Sequence, residues 1–128
     1  MEAYVSRDPI YVGQKYTITC LELGDGSCPT GDFLDSLSDG DRKKLAVLFV
    51  MLGDVGHISN NEKFKKVEGS EKIFEFKSHQ LRIFCFFDRR EVLLADGVRK
   101  KQDKHKRADI ERAETRRRWH FSQKGEDV

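Results

Sequence analysis

Two acidic or basic side chains stand inside apolar, alternating stretches of this chain, where charge has to have a reason. From Gln80 to Asp88, Leu81, Ile83, Cys85 and Phe87 alternate with Arg82, Phe84 and Phe86. If the first set faces a core, the strand period turns Arg82 to the opposite face. Glu75 holds a similar position in Glu71 to Ser78 and is either a structural ion-pair partner of Arg82 or a proton acceptor. Arg99, Lys100 and Lys101 follow as a cluster, and His105 stands four residues further on. Histidine titrates near neutrality, so His105 is the first choice for acid and base work, ahead of His79 and His120. Lys72, Lys77, Lys104, Arg107, Arg112 and Arg116 add cations around this set. Positive charge with a carboxylate and an imidazole suits chemistry on a phosphate group: one part holds the anion, the other moves a proton. The bland readings stay open beside these, namely a salt bridge for Arg82 and solvated loop and helix faces for the other cations.

The charge distribution points the same way. The 128 residues carry a formal net charge of +2. Residues 1–60 hold five Lys/Arg against nine Asp/Glu, and residues 61–128 hold nineteen against thirteen. Between Gly97 and Trp119 there are ten against four, the local density expected of a chain that meets an anionic polymer such as RNA. The longest apolar run, Leu45 to Leu52, is far short of the roughly 20 residues of a membrane helix. Met1 to Ile10 has neither a basic start nor an apolar segment, so no secretion signal is read there. Cys20, Cys28 and Cys85 have no metal-like spacing with the histidines and are read as reduced, buried thiols in a cytoplasmic protein. No metal and no cofactor is expected.

The elements that must position these groups follow from periodicity. Strands are expected near 15–23, 72–78, 80–88 and 91–96, helices near 31–38 and 40–53, and a last helix near 106–119. Ser38, three residues before Asp41, caps the second helix, and Gly53 and Gly56 end it. Leu45, Leu48, Phe49 and Leu52 form its inward stripe, while Val47, Val50 and Met51 are a surplus that implies a second contact. The last helix offers only Ala108, Ile110, Ala113 and Trp119 to a core and is expected to pack weakly. One domain over 1–128 is expected, with its core at about 15–119 and a disordered tail at 120–128.

Four segments in this order resemble the phage-derived HigB-like branch of the RelE/ParE toxins. Lys66-Val67-Glu68-Gly69-Ser70 and Ile73-Phe74-Glu75-Phe76-Lys77 resemble the family's "K-L-x-G-S-x-L-W-E-L-R", and Leu81-Arg82-Ile83 its "Y-R-I". Gly97-Val98-Arg99-Lys100-Lys101 with Asp109-Ile110-Glu111 and Ala113 resembles "G-F-x-K-K…E-I-x-x-A", and Phe33 to Leu37 fits "F-L-x-x-L". The resemblance implies an α+β fold: a twisted, mainly antiparallel four-stranded sheet, an N-terminal helical hairpin and a C-terminal basic helix. It implies metal-independent cleavage of ribosome-bound mRNA, with Arg82 at the transition-state arginine and Lys77 at a position often held by arginine. It also implies a helix-turn-helix antitoxin of the HigA kind, in a hetero-oligomeric complex. Some relatives use a C-terminal tyrosine as acid or base, others a histidine; this chain has no tyrosine after Tyr16. Two other readings therefore stand beside the nuclease: a ParE-like inhibitor of DNA gyrase that acts by binding, and a basic RNA- or ribosome-binding domain without activity.

Overall fold

A computed structural model describes residues 9–102 and 104–126. The expectations for Met1 to Asp8, and for the last two residues of the tail, fall outside the described residues. The elements run β1 (Tyr11–Val12), β2 (Thr17–Cys20), α1 (Pro29–Asp35), α2 (Asp39–Val55), β3 (Phe64–Lys66), β4 (Phe74–Ser78), β5 (Leu81–Asp88), β6 (Glu91–Arg99) and α3 (Arg107–Gln123). They build an α+β fold on a six-stranded mixed sheet of order β1-β2-β6-β5-β4-β3. The four expected strands form its centre, and the antiparallel meander β4-β5-β6 is present. Two corrections apply to the expected four-stranded sheet. β2 runs parallel to β6, and the short strands β1 and β3 extend the sheet at both edges.

Alternation along the strands divides the molecule into two cores. Ile18, Phe76, Leu81, Ile83, Cys85, Val92 and Leu94 face α1 and α2, packing on Leu45, Phe49 and Leu52. Phe84, Phe86, Leu93 and Ala95 face α3. The side chain of Ser38 accepts the amide of Asp41 at 3.1 Å, the expected cap of α2. Gly56, in the left-handed region at φ 93°, ends that helix, whereas Gly53 lies inside it and is buried. The exposed side of α2 carries Val47, Val50, Met51 and Val55.

The last helix departs most from expectation. It continues past Trp119 to Gln123 and buries Ile110, Ala113, Glu114, Arg117, His120 and Phe121. These positions follow the three- and four-residue spacing of one helix face, but half of them are polar. Each polar member has a partner. Glu114 Oε2 accepts the Glu71 amide at 2.8 Å, Arg117 lies 5.1 Å over the Phe121 ring, and His120 Nε2 meets Asp88 Oδ2 at 2.8 Å. Ala108 is exposed and does not serve as the anchor expected of it, whereas Trp119, half-buried, packs against this core beside Leu23 and Val98.

β6 contains a bulge that bears on the site. Phe84 pairs with Asp96 and the next residue, Cys85, with Leu94, leaving Ala95 as the extra residue. The bulge lets Ala95 and Asp96 oppose the single residue Phe84, so a carboxylate stands on the α3 side of the sheet.

Candidate functional site

Register across four strands places Lys65, Glu75, Phe84 and Asp96 in one row. Directly paired residues share a face, so this row presents charge, ring and charge beneath the segment that leads into α3. In the middle of it, Glu75 is 2% exposed. Its Oε1 lies 2.8 Å from His105 Nε2 and 3.6 Å from Arg82 Nε. The His105 ring stands edge-on to Phe84, with centroids 4.9 Å apart, which fixes the imidazole plane. A buried carboxylate is tolerated only with such compensation, and here an imidazole nitrogen at hydrogen-bond distance and a guanidinium nitrogen at ion-pair distance converge on one oxygen. Burial, and after it the charge of the same carboxylate, pushes the Cys85 thiol up.

Arg82 is held from behind as well. Its Nη1 donates to the backbone oxygens of His79 at 2.6 Å and Leu81 at 2.9 Å. The ion pair with Glu75, weighed from sequence as an alternative to catalysis, is therefore present at 3.6 Å, and His105 shares it. Lys77 pairs directly across from Arg82 and lies half-buried on the same face.

Two clefts open around this centre. One, of about 310 Å³, is lined by Lys65, Glu68, Glu75, Lys104, His105, Arg107 and Ile110. The second, of about 390 Å³, is lined by Arg99, Lys100, Lys101, Gln102, Lys104, Lys106 and Asp109. Lys104 borders both. Seven of the basic or catalytic candidates read from sequence thus fall on two neighbouring clefts, but Arg99, Lys100 and Lys101 line the second and Glu75 with His105 the first. Lys100 is largely buried, 4.0 Å from Asp109. Arg107 donates to the Gly69 oxygen at 3.0 Å and reaches Glu111 at 3.2 Å.

The remaining candidates stand elsewhere. Lys72 is exposed beyond either cleft lining. Arg112 is bound by Asp96 at 2.9 Å and Asp109 at 2.7 Å, and its pKa is raised chiefly by the Asp96 hydrogen bond. Arg116 donates to the Ala95 oxygen at 2.9 Å and lies 3.3 Å from Asp96. Both arginines thus fasten α3 to the bulge of β6. His79 lies in the β4–β5 turn, and His120 is buried at the far end of α3, so neither lines the clefts. Lys65, Glu68 and Asp96 were not singled out from sequence. Lys65 had a weak signal, being one of several lysines just before the strand that carries Glu75. Asp96 had none, since a bulge leaves no mark on periodicity.

A buried carboxylate–imidazole pair, backed by an arginine and bordered by cation-rich clefts, is an arrangement whose chemistry suits an anionic group and the movement of a proton beside it. Residues 32–118 match the family described as Phage derived protein Gp49-like (DUF891), and the chain belongs to that family. None of the curated proteins matches it. None of its helices is long and apolar enough to cross a membrane, as far as the described residues go.

Proposed function

We propose that this chain is the toxin of a type II toxin–antitoxin pair, of the HigB-like kind, and that it cleaves mRNA on the ribosome without a metal ion. The observation that carries the reading is the single Glu75 oxygen held between His105 Nε2 at 2.8 Å and Arg82 Nε at 3.6 Å. RNA contains its own nucleophile. The 2′-hydroxyl attacks the adjacent phosphorus, its proton passes to a base, and the bond from phosphorus to the 5′ oxygen breaks. The leaving oxygen takes a proton, giving a 2′,3′-cyclic phosphate and a 5′-hydroxyl.

The Glu75–His105 pair supplies the proton acceptor and donor, and Arg82 holds the carboxylate in place and adds positive charge. Lys65, Lys104 and Arg107 border the cleft where the reacting phosphate sits. Arg99, Lys100 and Lys101 grip the next stretch of backbone in the adjoining cleft. Losing one aimed charge or donor in such a site costs on the order of 2–4 kcal/mol of barrier. A helix-turn-helix antitoxin of the HigA kind is the proposed partner, and the cytoplasm the proposed compartment.

Induced expression in cells, followed by mapping of mRNA 5′ ends, tests the reading. Cleavages within translated frames that vanish with Glu75→Gln support it. Growth arrest with intact mRNA and relaxed DNA would instead identify a gyrase inhibitor.

A further inference from the structure

On the sheet face away from Glu75, α2 presents an apolar stripe that no other described residue covers. Val47 is 60% exposed, Met51 40% and Val55 54%. Beside the stripe runs a groove of about 540 Å³, lined by Lys44, Val47, Leu48, Met51, Ile58, Asn60, Lys63, Ser78 and His79. Leu48 and Ile58 are buried, so the groove has an apolar bottom. Its charged lining consists of two lysines, with no carboxylate among the nine residues. Shape and charge together select the occupant. Val47 and Met51 are four residues apart, the ridge along which a second helix packs, and the concavity takes a ridge rather than a flat lipid surface. The lysines call for acidic flanks.

One wall of the groove is also tied to the site. His79 sits at φ 56°, a conformation unusual for any residue other than glycine and one that stores strain. Its Nε2 is 3.1 Å from Lys44 Nζ on α2. Lysine only donates, so the imidazole nitrogen is the acceptor. Through its backbone oxygen the same residue takes the 2.6 Å hydrogen bond of Arg82 Nη1. A carboxylate arriving at Lys44 competes with the His79 ring for that ammonium, and any shift of the turn is felt at Arg82.

We propose that this groove docks an amphipathic helix of a protein partner, apolar on its buried face and acidic along its flanks, and that the docked helix acts on Arg82 through the His79 turn. Both the docking and its effect at Arg82 stand apart from the nuclease reading.

The test uses the full chain and two fluorescein-labelled synthetic helices of about 16 residues, with identical leucine positions and either glutamate or lysine flanks. Fluorescence anisotropy should show saturable binding of the glutamate peptide and binding about tenfold weaker or worse for the lysine peptide. Val47→Glu and Met51→Glu, both at exposed positions, should each weaken the glutamate peptide about tenfold. Lys44→Glu combined with Lys63→Glu should reverse the preference between the peptides. In the bound state the Arg82 Nε–H resonance should shift, and the shift should shrink in His79→Gly. Three results would overturn the proposal: equal affinity for both peptides, no effect of Val47→Glu and Met51→Glu, or tight binding to phosphatidylglycerol vesicles with no peptide binding. An Arg82 resonance unmoved by saturating peptide would overturn the link to the site. None of these readouts depends on RNA cleavage.

Discussion

His105 and Glu75 are separated by thirty residues and two strands, yet Nε2 of one lies 2.8 Å from Oε1 of the other. The contact joins the segment preceding α3 to the middle of the sheet. It also fixes the tautomer: with Glu75 ionised, neutral His105 carries its proton on Nε2. Glu75→Gln keeps the shape and removes the charge. Cleavage by that variant should fall at least about a hundredfold, corresponding to roughly 3 kcal/mol of barrier, while its circular dichroism spectrum stays that of the parent. An active Glu75→Gln would make the pair structural.

Salt separates the two clefts. Lys101 and Arg99 are exposed and border the second cleft, so their alanine variants should bind RNA less tightly and with a shallower dependence on salt concentration. Their cleavage should recover at low ionic strength. Glu75→Gln should not recover at any salt concentration. Equal rescue of all three variants would move the chemistry away from Glu75.

A second buried histidine–carboxylate pair gives a stability prediction. Burial pushes the Asp88 carboxyl up, but hydrogen bonds from Lys124 and His120 outweigh it, leaving its pKa below the ordinary 3.8. A depressed carboxyl contributes stability that is present above its unfolded value and lost as pH falls through the folded one. Asp88→Asn should therefore lower stability by about 2 kcal/mol at pH 7 in urea titrations. The gap should narrow once the pH drops below about 4. A gap independent of pH would mean that the packing of His120, not the charge of Asp88, holds this end of α3.

The bulge of β6 can be tested by coupling. Asp96→Ala and Arg112→Ala should each destabilise the fold, and the double variant should cost less than their sum by about 1 kcal/mol. Arg112 is 41% exposed, which keeps the expected value small. Additive losses would show that the 2.9 Å contact contributes nothing measurable.

What the sequence disclosed and what it concealed have separate physical causes. The meander was legible because β5 alternates without interruption, so one face could be assigned to the core and Arg82 to the other. Ser38 disclosed the start of α2 because a cap needs only local chemistry. The inward face of α3 was concealed, since Glu114, Arg117 and His120 fill core positions that a hydrophobic pattern does not count. The edge strands β1 and β3 are two and three residues long, too short for any period to register. Arg82, Glu75 and His105 were each named from sequence with open roles, and only the register of β4 on β5 and the path of the chain back over Phe84 bring them to one oxygen. Arg112 and Arg116 looked like surface charge because their partner, Asp96, owes its position to the bulge.

The most direct measurement is the chemistry of the cut end. Purified protein is incubated with a defined RNA oligonucleotide, alone and on programmed ribosomes, and the products are weighed by mass spectrometry. The account predicts fragments ending in a 2′,3′-cyclic phosphate with 5′-hydroxyl partners, formed in the presence of a chelator and absent with Glu75→Gln and His105→Ala. Intact RNA under both conditions, or fragments produced equally by both variants, would contradict it.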